Sequence, residues 1–150
     1  MNDVATQLVA LLSILARLLA AGACGVLVGL HSELRSRSDG LRMHALTAMG
    51  AALFMITASE LTSDNDDMVR VVQGVASGVG FIGAATVFTR SGSMGGVATA
   101  ASIWIAAAIG CALATTGWAL GLASALFAAS VNAVASRLQN LFSNDAEEDA

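Results

Sequence analysis

Lysine and proline are both absent from this 150-residue chain, and its seven basic residues are all arginines. Without lysine there is no phosphate-binding loop ending in Gly-Lys-Ser/Thr and no Schiff-base nucleophile. Charge of either sign is scarce, at 12% of residues against roughly 25% in ordinary soluble domains. Hydrophobic residues make up 56%, and the mean hydropathy is +0.74. A water-soluble fold this apolar could not cover its own surface with polar groups, so lipid has to be part of its solvent. The net charge of −4 comes mostly from two short acidic stretches, and no basic patch is long enough to follow a phosphate backbone. No nucleic-acid partner is expected. Cys24 and Cys111 both sit in apolar runs without metal-type spacing and read as small hydrophobes.

What the chain does have is long apolar runs. A helix needs about 20 such residues to cross the roughly 30 Å hydrocarbon core. The run from Leu8 to Leu30, interrupted only by Arg17, is longer than a signal core of about 7–15 residues. The residues before it, Met1-Asn2-Asp3, are acidic where a secretory signal would be basic, so this segment reads as a permanent span. A polar loop, His31 to Gly40, precedes a second span at about Leu41–Leu61, with Ser38 or Asp39 placed to cap it. Ser63-Asp64-Asn65-Asp66-Asp67 reads as an acidic loop, and a third span, about 71–89, lies between Arg70 and Arg90. Residues 91–136 contain no charge at all. As one helix they would measure about 69 Å, more than twice the hydrocarbon thickness, so the segment must fold back. Thr115-Thr116-Gly117-Trp118 is the expected turn, giving spans at about Val97–Ala114 and Trp118–Ser136, with Ser91–Gly96 as a flexible link.

The fold class expected is therefore all-α, a single polytopic bundle of five transmembrane helices over residues 1–140. Residues 141–150 are expected to form an acidic, disordered tail. Five crossings put the termini on opposite faces. Arg35, Arg37, Arg42, Arg90 and Arg137 share one side, and only Arg70 falls on the other. The positive-inside rule makes the arginine-rich side cytoplasmic, with the N-terminus periplasmic and the C-terminus cytoplasmic.

Few residues can carry chemistry. Arg17 is either buried and paired, with Glu60 or helix carbonyls as partners, or snorkels to the surface. His44, just inside the second span, can relay protons, bind a metal, or simply bond a backbone carbonyl. Glu33, Arg35, Arg37 and Arg42 form a mixed-charge collar that suits a partner protein or anionic headgroups, or is merely solvated. Gln73, Ser77, Thr99, Ser102 and Asn132 can hydrogen-bond between helices or line a polar cavity. Trp104, mid-span, reads as a packing residue.

The third span carries Gly74, Gly78, Gly80 and Gly83. The last three spell G-x-G-x-x-G, but no strand precedes them and the acidic residue expected about 20 positions on is missing. They read instead as a close-packing ridge or a partner face, as do Ala21-Gly25-Gly29 and Gly117-Gly121. The acidic loop lacks the glycine turn and distal glutamate of a calcium site. No nucleophile–base pair, H-E-x-x-H motif or paired catalytic carboxylates occur, so neither an enzyme nor a cofactor or metal is expected.

Four stretches in order carry a family resemblance. They are Arg17 with the run ending Gly29-Leu30 and Glu33; Gly40-Leu41-Arg42-Met43-His44; Gly78-Val79-Gly80-Phe81-Ile82-Gly83-Ala84; and Gly96-Val97-Ala98-Thr99-Ala100-Ala101-Ser102-Ile103-Trp104. In these the chain resembles the MgtC/SapB family of bacterial inner-membrane proteins over roughly residues 10–136. It departs from the usual pattern at His31-Ser32, Met43, Ala85 and Val97-Ala98. The resemblance implies a multi-pass inner-membrane protein of magnesium homeostasis and virulence, tied to growth at low magnesium and survival inside macrophages. It also implies restraint of the proton-translocating ATP synthase rather than catalysis, and membrane-domain coverage without the family's cytoplasmic domain.

Two functions follow: a membrane regulator working through helix contacts, or a small oligomeric magnesium or proton-coupled transporter with Arg17, His44 and the polar span residues along its path. A continuous polar cavity marks the second; a dry core with an exposed glycine face marks the first.

Overall fold

Five helices make up the structure, a computed structural model that describes residues 2–35, 40–89, 94–115 and 117–148. They are α1 (Asn2–Arg35), α2 (Gly40–Leu61), α3 (Asn65–Thr89), α4 (Met94–Thr115) and α5 (Trp118–Glu148). Each contains a segment long and apolar enough to cross a bilayer, and no strand occurs among the described residues. The chain is an all-helical multi-pass membrane protein, with the five spans in the order expected.

The core is built by α1, α2 and α4. Half of α4's span is buried, against 17% for α3 and 11% for α5. Small residues explain why. Ala21, Cys24 and Val28 of α1 meet Ala48 and Ala52 of α2, and Ala106, Ile109 and Leu113 of α4. Where lipid tails are as apolar as the side chains, helices associate by close van der Waals approach, and alanine and glycine permit it. α3 leans on α4 through Val79, Ile103 and Ala107, with only light contact to α2, and α5 rests against α1 and α4.

The turn between α4 and α5 falls where the length argument requires. Gly117 has φ +99°, a left-handed conformation that a side chain disfavours, and it reverses the chain between Thr115 and Trp118. At the other inter-helix turn the structure departs from the expected acidic loop. Asn65, Asp66 and Asp67 form the first turn of α3 rather than a loop. Asp64 is the cap: its Oδ1 accepts from the Asp66 amide at 2.9 Å and its carbonyl from the Met68 amide at 3.1 Å. Carboxylates there are favoured by the positive end of the helix.

Two other boundaries move. α4 begins at Met94, so Met94–Gly96 is helix rather than link; Ser91–Ser93 lie outside the described residues. α5 stays helical to Glu148, through most of the segment expected to be a disordered tail. Extending an existing helix through leucine, glutamine, alanine and glutamate costs little, because nucleation has already occurred.

Candidate functional site

Two polar clusters lie inside the bundle, at opposite ends of its core. The first surrounds His44, which is fully buried. α1 closes over it: a Cβ on Gly25 would stand 2.5 Å from the His44 carbonyl oxygen, and one on Gly29 2.8 Å from the imidazole Cγ. Nδ1 lies 2.6 Å from the Gly40 carbonyl and Nε2 2.7 Å from Ser102 Oγ on α4. A carbonyl only accepts, so Nδ1 carries the proton and a neutral ring offers Nε2 as acceptor to the Ser102 hydroxyl. The Thr99 carbonyl, 2.9 Å from the same hydroxyl, is the acceptor available when both ring nitrogens are protonated. Thr99 is buried too. His44, Ser102 and Thr99 thus tie α2 to α4 in one hydrogen-bonded chain.

The second cluster is Arg17. Its Nη1 donates to the Leu113 carbonyl at 3.3 Å and to the Ala114 carbonyl. These are among the last four carbonyls of α4, which have no partner within their own helix. The guanidinium therefore caps α4 and sits at the negative end of its dipole. Of the two arrangements the sequence allows, Arg17 takes the paired one, and of the two partners, the carbonyls. Glu60 is exposed on α2. Twelve residues of α1 separate Arg17 from Gly29, about 18 Å along the axis. Between them the core is apolar: Ala21, Cys24, Ala48, Ala52, Ala106 and Ile109 are all buried.

The remaining candidates scatter. Arg42 is exposed near the His44 end. The side chains of Glu33 and Arg35, and the whole of Arg37 and Arg90, lie outside the described residues. Asn132 Nδ2 donates to the Val28 carbonyl at 3.2 Å, tying α5 to α1. Gly96 is buried. Trp104 is 49% exposed and faces outward, not into the core as its mid-span position suggested. α4 turns its small residues to its neighbours, which leaves the indole for lipid.

The glycines divide in a way the sequence did not reveal. Gly83 packs in ordinary contact against Ala100, but a Cβ on Gly74, Gly78 or Gly80 would meet nothing within 4 Å. The intramolecular ridge expected along α3 is therefore confined to Gly83. Close packing falls instead on Gly22, Gly25 and Gly29 against α2, Gly121 against Leu113, and Gly110 against the Ala48 carbonyl. Gly110 was missed, although Ala106, Gly110 and Ala114 repeat a small residue every four positions.

The free α3 glycines border two open surfaces. Gly74 and Gly78, with Gly50, Ala51, Phe54 and Val75, line an apolar groove of about 720 Å³ between α2 and α3. Phe81, 81% exposed, stands on the outward side of α3. A second groove, of about 880 Å³ and mostly apolar, runs between α4 and α5 and includes Ser102, Ser124 and Asn132.

A family model described as the MgtC family matches residues 18–141. Over 112 residues the chain is 41% identical to the putative magnesium transporter YhiD of Escherichia coli K12, covering 70% of this chain and 52% of that protein. It is 37% identical to protein SrpB of Synechococcus elongatus over 124 residues, 74% of this chain and 68% of SrpB. To protein MgtC of Salmonella typhimurium it is 40% identical over 93 residues, 62% of this chain and 39% of that protein. The chain thus spans about half the length of the first of these relatives. No solved structure matches it.

Proposed function

We propose that this chain, which belongs to the MgtC family, is a non-enzymatic regulator of the bacterial inner membrane that works by helix-to-helix contact. One observation carries the reading. The polar clusters at Arg17 and His44 are separated by apolar, close-packed core, while the groove between α2 and α3 stands open and apolar. An ion needs polar ligands in sequence along its path, and among the described residues every buried side-chain polar atom is already hydrogen-bonded within the protein. A helix from another membrane protein needs an apolar trough with small residues at its floor, which Gly50, Gly74 and Gly78 provide.

The family resemblance suggests the setting, growth at low magnesium, survival inside macrophages and restraint of the ATP synthase; on our reading a membrane helix of that partner occupies the groove. Gly78→Leu projects into the open groove, and its Cβ meets nothing within 4 Å, so the side chain has room without parting the helices. The variant is expected to keep the wild-type unfolding midpoint and to lose capture of the partner by a photo-reactive residue at position 74. Low-magnesium growth of a complemented deletion strain should fall in parallel. If Gly78→Leu complements fully, the groove is not the site of action.

A transporter is the competing reading, suggested by the likeness to the putative magnesium transporter YhiD and by Ser102, Ser124 and Asn132 along the second groove.

A further inference from the structure

On its outward side α3 presents a second stripe, Gln73, Ser77, Gly80 and Ala84, turned away from both α2 and α4. All four residues are exposed. They recur at three- and four-residue spacing and so lie on one helix face, different from the one that Gly74 and Gly78 present to the groove. Their depth is what makes them unusual. In the charge-free stretch between Arg70 and Arg90, Ser77 lies about 5 Å from the midpoint and Gln73 about one turn nearer the surface. Neither side chain has a hydrogen-bond partner among the described residues. By contrast, the exposed hydroxyls of Ser13, Ser59 and Ser130 turn back onto carbonyls of their own helices. A hydroxyl as deep as that of Ser77, about 10 Å from the interface, cannot reach water and is left without compensation by lipid.

We propose that a second copy of the chain docks on this stripe, α3 against α3. The membrane sets the geometry. Two copies inserted the same way round are related by an axis along the membrane normal, so equivalent helices run parallel and each seam residue meets its own counterpart. Such a seam must be self-complementary, and this one is. A carboxamide carries both donors and an acceptor, so two Gln73 side chains satisfy each other reciprocally, and the Ser77 hydroxyl can do the same. Gly80 and Ala84 let the two backbones approach. No charge stands between Arg70 and Phe88 to repel its own copy, and Arg70, at the margin, brings Asp67 with it at 4.0 Å. The groove between α2 and α3 has almost no polar group to pair with itself. The two surfaces are independent, and so are their tests.

Cysteine crosslinking reads the seam directly. In a Cys24→Ala, Cys111→Ala background, Ser77→Cys and Gly80→Cys are each oxidised in native membranes, beside Gly74→Cys on the groove side and Phe127→Cys on α5. The expected product is a disulfide-linked dimer of twice 15.1 kDa at positions 77 and 80 and little at 74 and 127. With purified protein in bicelles, Gln73→Leu should raise the dimer dissociation constant about tenfold, the effect of two membrane hydrogen bonds. Three results overturn the proposal: no dimer at position 77, equal dimer at 77 and 127, or adducts with another protein in its place. An unchanged dissociation constant for Gln73→Leu does so as well.

Discussion

Gly110→Ala is expected to destabilise the bundle by about 2 kcal/mol or more, although alanine is the better helix former. The two effects oppose each other and their sizes decide. Replacing glycine by alanine inside a helix gains up to about 1 kcal/mol of propensity. At position 110, however, the added methyl would overlap the Ala48 carbonyl oxygen of α2. Both colliding groups belong to helix backbones, so no rotamer change relieves the clash, and α2 and α4 must separate. Overpacking costs about 1–3 kcal/mol where side chains can yield, and more where they cannot. Separation would also stretch the hydrogen bond from Ser102 to His44, because it spans the same two helices. Gly78→Ala is the control. Its methyl meets nothing within 4 Å, so only the propensity gain remains, and stability should hold or rise slightly. Unfolding of purified protein in mixed micelles by graded denaturing detergent measures both. Equal midpoints for Gly110→Ala and Gly78→Ala would show that the core is not held by the α2–α4 contact.

Arg17→Leu should insert at least as well as the wild type and yet lose about 2–4 kcal/mol of folded-state stability. Removing the guanidinium leaves the Leu113 and Ala114 carbonyls without partners, at about 1–3 kcal/mol each. It also removes a cation from the negative end of α4, worth about 0.3–1 kcal/mol or more when partly buried. Against this, insertion scales charge about 2.5–3.5 kcal/mol for an arginine at a helix centre. The inserted but unfolded chain carries Arg17 as well, so that relief appears in insertion efficiency and not in the unfolding midpoint. Both bonds come from one nitrogen, Nη1, so Arg17→Lys, which keeps the charge and three donors on a single nitrogen, should recover part of the loss. A glycosylation-mapping assay of insertion, run beside the unfolding titration, separates the two quantities. An Arg17→Leu variant as stable as the wild type would mean that the α4 terminus is capped by something else.

The helices were legible because the bilayer imposes one length and one composition on whatever crosses it. Even the reversal at Gly117 followed from arithmetic on residues 91–136. Capping was less visible: Asp64 and Asp66 read as a loop because a short acidic run suits a solvated turn as well as a helix start. The candidate site was legible in its residue types and not in its pairings. Arg17, His44, Ser102 and Thr99 all stand out as polar letters in apolar runs. Nothing in the sequence says that Arg17 reaches α4 about 96 positions away rather than Glu60, or that His44 bonds Ser102. The glycines show the limit most clearly. Gly74 and Gly110 look alike in sequence, but one borders open space and the other presses on a carbonyl, since contact depends on which neighbour each helix face meets.

Ion flux through purified protein in liposomes tests the central claim most directly, with magnesium and proton gradients applied in turn and the wild type beside Arg17→Leu and Ser102→Ala. The packed stretch between Arg17 and His44 predicts flux no greater than in protein-free vesicles for all three, from protein whose folding is verified in the same vesicles. Flux carried by the wild type and abolished by either substitution would mean that the two polar clusters belong to one conducting path, and the regulator reading would have to be given up.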